Sequence, residues 1–185
     1  MADTNNVWAA TLNANGACVY AAPLGTTLPT TATEALDADF VDLGWVSEDG
    51  FTNSIKRDIT KHYAFGGDVV KVTQDKYTET VQFALLESSA DVLGVVYGVD
   101  SVTENGAVFS VEHNSLMLVH QVFAIDFIDG DKVGRIVIRD GQVTEIGDLK
   151  YVHKDLTMYD VTVDVYRLDD GTAAVATYFD ATPGS

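Results

Sequence analysis

The sequence predicts an all-β protein, an antiparallel β-sandwich or barrel flanked by one short α-helix. Two observations support this prediction. Apolar and polar residues alternate along many short segments, as side chains do on a half-buried strand. Asn-Gly or Asp-Gly pairs, which tolerate the positive φ of tight hairpin turns, occur between or beside these segments. The six pairs are Asn15-Gly16, Asp49-Gly50, Asn105-Gly106, Asp129-Gly130, Asp140-Gly141 and Asp170-Gly171.

The clearest strand lies in the segment YDVTVDVYRL, residues 159–168. Its first tyrosine and three valines share one face, whereas Asp160, Thr162 and Asp164 share the other. The segment YTETVQFALL, residues 77–86, alternates in the same way. Further strands are predicted near 7–12, 17–22, 40–46, 51–57, 107–112, 116–128, 132–139, 142–152 and 172–179.

One helix is predicted at about 89–97. Ser88 or Ser89 can cap its first turn and Gly98 can end it. Gly94 inside the segment costs about 1 kcal/mol relative to alanine, and isolated helices of this length are marginal in water. We therefore expect the helix to pack on the sheet.

The whole chain, residues 1–185, is expected to form one domain, because a chain of this length typically buries roughly 70% of its unfolded surface. Residues 23–39 lack sustained periodicity, and loops this long are usually functional or disordered. Residues 180–185 are expected to be a flexible end. The lone cysteine, Cys18, lies in the apolar run ACVYAA and is expected to be buried.

The start of the chain lacks the features of a secretion signal, and the longest apolar stretch, VLGVVYGV, is too short to span a bilayer. We therefore expect a protein that is made in a reducing cytoplasm and has no membrane partner.

Charge excludes tight binding to nucleic acid, since the formal net charge is −17, with 11 basic and 28 acidic residues. Affinity for a polyanion normally depends on Lys and Arg that displace its counterions. The charge is unevenly distributed. Residues 1–55 contain no Lys or Arg and carry seven acids, whereas residues 56–76 contain five bases and three acids.

The sequence HYAFGGDVVK contains Gly66, Gly67 and Asp68, which suggest either a phosphate-binding loop or a sharp turn. A phosphate loop needs a lysine followed by Ser or Thr after the glycines, and then a helix. Here an acid and two valines follow, so the sequence favours a turn.

No catalytic or cofactor-binding motif was found. Asp126, Asp129 and Asp131 cluster in DFIDGDKVG, but the distal glutamate of a calcium loop is missing. A hairpin turn with solvated acids is therefore favoured over a metal site. The four histidines, which form no metal-binding pair, are His62, His113, His120 and His153. No nucleophile elbow occurs, and we expect neither catalysis nor a cofactor.

The middle of the chain resembles the major tail proteins, or tail tube proteins, of long-tailed bacteriophages, particularly those that infect actinobacteria. The resemblance rests on DLGWVSEDGFTNSIKRDITKHYAFGGDVVKV followed by YTETVQFALLESSADVLGVVYG, and it covers residues 42–98 closely. In that family EDG opens a hairpin, and Gly66, Gly67 and Asp68 match a turn between two strands.

This resemblance implies a structural subunit of the virion, made in the host cytoplasm, with a β-sandwich or barrel and no catalytic residue. It implies six-membered rings that stack into a hollow tube through which DNA passes without adhering. Further implied partners are the tape measure protein, the tail terminator and the distal tail protein.

Two hypotheses about surfaces follow from the charges. Asp160 and Asp164 are predicted to face the bore, where acids repel DNA over a Debye length of about 8 to 10 Å; an ordinary solvated face is the alternative. The acidic first third, with loop 23–39, is predicted to meet the basic segment of a neighbouring subunit. The residues predicted to make these contacts are Glu34, Asp37, Asp39, Lys56, Arg57 and Lys61. Pairing of the same charges within one subunit is the alternative.

Two other functions remain open. The chain could be an accessory β-domain that binds protein or carbohydrate through loop 23–39. It could also be an enzyme whose paired carboxylates are brought together only by folding.

Overall fold

A computed structural model describes residues 2, 6–11, 16–106 and 108–180, which form mainly antiparallel β-structure. The prediction of a mostly-β fold with one short helix is confirmed. The strands are β1 (Val19–Pro23), β2 (Val41–Asp42), β3 (Val46–Tyr63), β4 (Val69–Leu85), β5 (Val102–Asn105), β6 (Val108–Val111), β7 (Gln121–Asp129), β8 (Lys132–Ile146), β9 (Tyr159–Val165) and β10 (Val175–Asp180). The helix is α1 (Ala90–Tyr97), and a 3-10 turn follows at Val99–Ser101.

Eight strands form one sheet in the order β2-β1-β7-β8-β9-β4-β3, with β10 paired to the first half of β8. β5 and β6 form a separate small hairpin. An isolated bridge joins Ala17, just before β1, to Trp45, just before β3. The two ends of the strand order therefore meet at this point.

Helix α1 covers the inner face of this sheet. The Ser89 hydroxyl accepts a hydrogen bond from the Val92 amide at 3.3 Å, and Gly98 ends the helix at φ 97°, as the sequence predicts. Val92 and Val96 are completely buried against the sheet. The inner face contributes buried residues that include Leu85, Phe123, Ile125, Ile138, Val161 and Val163.

Cys18 belongs to this core and is completely buried, so its predicted burial is confirmed. Burial raises the pKa of the thiol to about 12, with smaller contributions from Asp126 and Asp42. The thiolate is the reactive form of cysteine. The side chain therefore serves as a small apolar core group.

Loop 23–39 is anchored on the opposite, outer face of the sheet. Arg135 of β8 points to this face and donates a 2.5 Å hydrogen bond to the carbonyl of Glu34. Its guanidinium also donates two bonds, of 2.6 and 2.8 Å, to the carboxylate of Asp126 on β7. Ala32 in the loop is buried, as are Val122, Ala124 and Val137 of the sheet. The loop is thus a cover for one half of the outer face.

Two of the predicted turns are wrong. Asp140 and Gly141 lie inside β8, where the strand changes its neighbour from β10 to β9. A Cβ at Gly141 would lie 2.8 Å from Val163, so the glycine is needed for close packing there. Asp49 and Gly50 lie inside β3, at an irregularity in its pairing with β4. The remaining pairs lie in turns as predicted, except that Asn15 is outside the described residues.

Several strand limits also differ from the prediction. Residues 7–11 form no strand, and Thr11 makes a single bridge to Ile128; residue 12 lies outside the described part. Strand β7 begins at 121 rather than 116, and β8 combines the two predicted strands but ends at 146. Strand β5 was not predicted. Of the end predicted to be flexible, Asp180 closes β10, and residues 181–185 lie outside the described residues.

Candidate assembly surfaces

The most prominent surface is the far part of the β3–β4 hairpin, residues 56–78, which we call the arm. Strand β4 pairs with β9 only between Thr80 and Leu85, so beyond Thr80 none of the described strands lies beside the hairpin. At about 3.3 Å per residue, the arm extends on the order of 30 Å from this point. Within the arm every residue is exposed except Thr73, which is partly buried. The arm is therefore a two-stranded ribbon without a core of its own.

The two faces of the arm differ in chemistry. Cross-strand partners share a face, and the pairs Arg57–Tyr77, Ile59–Gln74, Lys61–Val72 and Tyr63–Val69 lie on the side that continues the inner face of the sheet. Ile59, Tyr63 and Val72 on this side are 55%, 62% and 52% exposed. We call this side the apolar face of the arm. An isolated two-stranded ribbon is marginally stable at best in water, so these side chains need an external cover.

The opposite face of the arm is polar and continues the outer face of the sheet. It carries Lys56 and Thr60, with partners Thr78 and Thr73. The Thr60 hydroxyl donates to the carboxylate of Asp75. Side chains of this face form hydrogen bonds with one another, so it has less need of a partner than the apolar face.

A small polar network fixes the base of the arm. Glu79 is buried and accepts hydrogen bonds from the Asn53 amide at 3.0 Å and from the Tyr77 hydroxyl at 2.6 Å. The hydrogen bond from the Tyr77 hydroxyl to Glu79 raises the pKa of Tyr77, with lesser contributions from burial and from the charge of Glu79. The Arg57 guanidinium lies 5.0 Å from the centre of the Tyr77 ring. These contacts hold the arm in line with the sheet.

The tip of the arm is the turn at Gly66, Gly67 and Asp68. The Asp68 carbonyl accepts from the Ala64 amide at 2.8 Å, and the Ala64 carbonyl accepts from the Gly67 amide at 2.9 Å. Gly67 has φ 90°, which favours glycine. The interpretation as a sharp turn between two strands is confirmed. Phe65 beside it is completely exposed.

The residues predicted to make contacts between subunits lie on two separate surfaces. Lys56 is ion-paired with Asp58 at 3.5 Å on the polar face, and Arg57 and Lys61 lie on the apolar face. Within the described residues, no ion pair joins the arm to residues 16–55.

The acidic residues of the long loop are partly used within the loop itself. The Glu34 carboxylate accepts from the Thr30 amide at 2.6 Å and from the Thr30 hydroxyl at 2.9 Å. The backbone bond from Thr30 is the main reason that the pKa of Glu34 is lowered. Asp37 accepts from the Asp39 amide at 3.1 Å. Asp39 itself is exposed at the surface.

The predicted bore residues lie on the uncovered half of the outer sheet face. Asp160 is exposed and Asp164 partly exposed, while Val161 and Val163 between them point into the core. The alternation predicted for β9 is therefore confirmed. Thr162 on the same face accepts a 3.2 Å hydrogen bond from the Gln82 amide of β4. This half of the face presents carboxylates, hydroxyls and amides to its surroundings.

The described residues contain no group of three His, Cys, Asp or Glu arranged to hold a metal ion. Asp129 and Asp131 flank Gly130 in the β7–β8 turn, as the hairpin interpretation predicts. The prediction that Asp126 is solvated is wrong. Its carboxylate is mostly buried and forms an ion pair with Arg135. None of the described helices is long and apolar enough to cross a membrane.

The sequence interpretation missed the apolar face of the arm. The sequence does contain an alternation that indicates this face, because Ile55, Ile59 and Tyr63 lie on one side of β3. Arg57 and Lys61 lie on that same side, between the apolar residues. The two bases obscured the alternation of apolar residues. The strand predicted after Asp68 is confirmed as the first half of β4, but the sequence did not predict that it continues into the strand at 77–86.

The antiparallel sheet, with one exposed two-stranded ribbon and one short helix, defines the described residues as a β-rich fold. The model of the phage tail tube protein family matches residues 3–183 of the chain. The chain belongs to this family. A comparison with curated proteins gives no significant match. Because the chain belongs to the tail tube family, the protein is a non-enzymatic, structural component of the tail tube of a phage virion. Membership of the family also implies self-assembly into a tube.

Proposed function

We propose that the chain, as a single tail tube domain, forms six-membered rings that stack head to tail into a hollow conduit for the phage genome. The observation that carries this proposal is the arm, whose apolar face is not covered by any of the residues that the structure describes. A head-to-tail contact joins two different patches and repeats without closing, as a tube requires. The ring size comes from the resemblance to tail tube proteins.

The bore is proposed to be lined by the uncovered outer face of the sheet, with Asp160 and Asp164 toward the DNA. Support comes from the exposure of these carboxylates beside Thr162 on a face that carries no large apolar residue in β9. Carboxylates repel the phosphate backbone over about 8 to 10 Å near physiological salt, so the DNA slides without adhering. A map of the assembled tube with both carboxylates on its outer surface would remove this assignment.

Complementary charge is proposed to set the register between stacked subunits. The loop 23–39 presents Asp37 and Asp39 without a basic partner from the arm of its own subunit. The arm carries Lys56, Arg57 and Lys61 on both of its faces. Charges at the rim of an interface contribute mainly to specificity and association rate.

Electron microscopy of the purified chain in negative stain tests the proposed function. We expect hollow tubes or rings with six-fold symmetry at high protein concentration, because in the purified protein another copy is the partner present to cover the exposed arm. A chain that stays monomeric at high concentration and binds glycans saturably would contradict the proposal and favour a binding domain.

Reversal of two arm charges should block polymerisation. In the variant Lys56→Glu/Lys61→Glu, which leaves the contact of Arg57 with Tyr77 in place, we expect the concentration needed for tubes to rise at least about tenfold, since like charges then meet across the contact. Light scattering measures assembly, and far-UV circular dichroism should be unchanged because both side chains are exposed. Normal tubes at the wild-type concentration would refute the charge contact.

A charge swap provides the matched control for this variant. Adding Asp37→Lys and Asp39→Lys to the reversed arm restores opposite charges across every contact, so we expect assembly to recover. Glu34 is left unchanged because its carboxylate accepts hydrogen bonds from Thr30. A swapped chain that assembles no better than the reversed chain would show that these patches do not meet.

The remaining details of the tail are proposed from the resemblance alone. They are an actinobacterial host, a tape measure protein inside the bore, and terminator and distal tail proteins at the two ends. Mass spectrometry of purified virions, with the host recorded, tests each of these assignments.

A further inference from the structure

A second feature of the surface complements the arm. A groove of about 320 Å³ runs between α1 and the β1–β2 edge of the sheet. Its floor is made by small or apolar residues from these elements, which are Ala21, Ala22, Val41, Ala90, Gly94 and Val95. We call it the α1 groove. Because its lining side chains are short, the groove has room for a large apolar side chain from outside.

The rim of the α1 groove is acidic. Asp91, in the first turn of α1, and Glu104, in β5, line it and are both exposed. No basic residue lines the groove. A partner segment that enters the groove should therefore be apolar at its end and basic beside it.

The tip of the arm has this chemistry. Phe65 is completely exposed and Tyr63 is 62% exposed, so neither has a cover in its own subunit. Lys61 and Lys71 flank the tip on the two strands of the arm.

Other grooves fit the tip less well. A groove of about 410 Å³ beside the segment 113–118 is apolar, but no carboxylate lines it. A groove of about 400 Å³ at the base of the arm includes Arg167, which would repel the basic tip. The groove beside Asp49, Glu145 and Asp160 is acidic, but more polar than apolar surface lines it.

We propose that the arm tip of one subunit inserts Phe65 into the α1 groove of another subunit, with Lys61 and Lys71 beside Asp91 and Glu104. This assignment rests on the proposed self-assembly and names the surfaces that meet. The contact is heterologous, because the tip and the groove are different patches, so it can join neighbours around a ring or between stacked rings.

Photocrosslinking within assembled tubes tests the contact. Phe65 is replaced by p-benzoylphenylalanine, and chains with this residue are mixed with isotope-labelled wild-type chains before assembly and irradiation. We expect crosslinks from the arm tip to peptides within residues 90–104 of the labelled copy. Tubes whose crosslinks go instead to the segment 113–118, or elsewhere outside the groove, would overturn the assignment and leave the proposed function intact.

A variant that fills the groove gives an independent test. Ala90→Leu places a larger side chain in the groove, and we expect the concentration needed for tubes to rise at least about tenfold. The matched control, Ala10→Leu, makes the same change on an exposed residue that lines none of these grooves and should assemble normally. Equal assembly of both variants would overturn the assignment. A wild-type chain that forms no tubes would overturn the proposed function together with it.

Discussion

Arg135→Met is expected to destabilise the subunit by about 3–5 kcal/mol, the range found when one partner of a buried ion pair is removed. Asp126 would then keep a mostly buried charge without its bidentate partner, and the Glu34 carbonyl would lose its donor. Methionine retains much of the length of the arginine side chain, so the loss comes from charge rather than from a cavity. Thermal unfolding measures this loss of stability, and we expect Tm to fall on the order of 10 °C.

A double variant separates the charge effect from packing. Asp126→Leu/Arg135→Met removes both charges, and we expect it to be more stable than Arg135→Met alone, because no unpaired carboxylate remains. If the two single substitutions and the double variant give additive losses, the ion pair does not stabilise the subunit as inferred. Limited proteolysis should cut within loop 23–39 faster in Arg135→Met, since the loop is anchored there.

Removal of the arm is expected to abolish assembly while the subunit stays folded. The variant replaces residues 58–76 by Asn-Gly, a pair that suits a two-residue hairpin turn. Arg57 and Tyr77 are kept, so the contacts that reach Glu79 at the base are preserved. The removed residues are exposed almost throughout, so Tm should change by only a few degrees. Sedimentation velocity should find no tubes at any practical concentration.

The control for this deletion keeps the arm and changes its polar face. Thr78→Ser alters one exposed side chain whose partner is Lys56, and tubes should form as in the wild type. Tubes from the shortened chain would mean that the arm is dispensable. A shortened chain that is unfolded by circular dichroism would instead mean that the arm belongs to the folding unit, contrary to its exposure.

The parts of the fold that the sequence predicts best are those in which one face of a strand is buried. Strand β9 and the second half of β4 were predicted because alternate residues pack in the core of the subunit itself. The arm continues the same strands, but its apolar face has no cover within the subunit and carries two bases, so alternation alone could not show how far β3 and β4 extend.

Some Asp-Gly pairs lie in turns as predicted and others lie inside strands, and this difference has a physical reason. A glycine with positive φ suits a hairpin turn, as at Gly130, but the same freedom serves an irregularity inside a strand, as at Gly50. Gly141 is required by close packing against Val163, which depends on distant parts of the chain.

The Arg135–Asp126 pair could have been predicted once the β7–β8 turn was accepted. A two-residue loop at Gly130 and Asp131 sets Asp129 opposite Lys132, and counting back along both strands puts Asp126 opposite Arg135. The carbonyl of Glu34 could not have been added to this pair, because nothing in the sequence indicates where the long loop crosses the sheet.

The unpaired edge of β3 affects whether subunits can accumulate in the cell before they assemble. A long row of unsatisfied amide and carbonyl groups is a template for uncontrolled fibre growth. The register between β3 and β4 shifts at three points, but only the shift between Val46 and Phe51 places extra residues in β3, because the other two each place one extra residue in β4. From Phe51 to Tyr63 the outer edge of β3 is therefore regular, and the charged side chains of Lys56, Arg57 and Lys61 are what discourage a stray strand there. Charge along this edge thus acts as a safeguard against amyloid-like aggregation in a crowded infected cell.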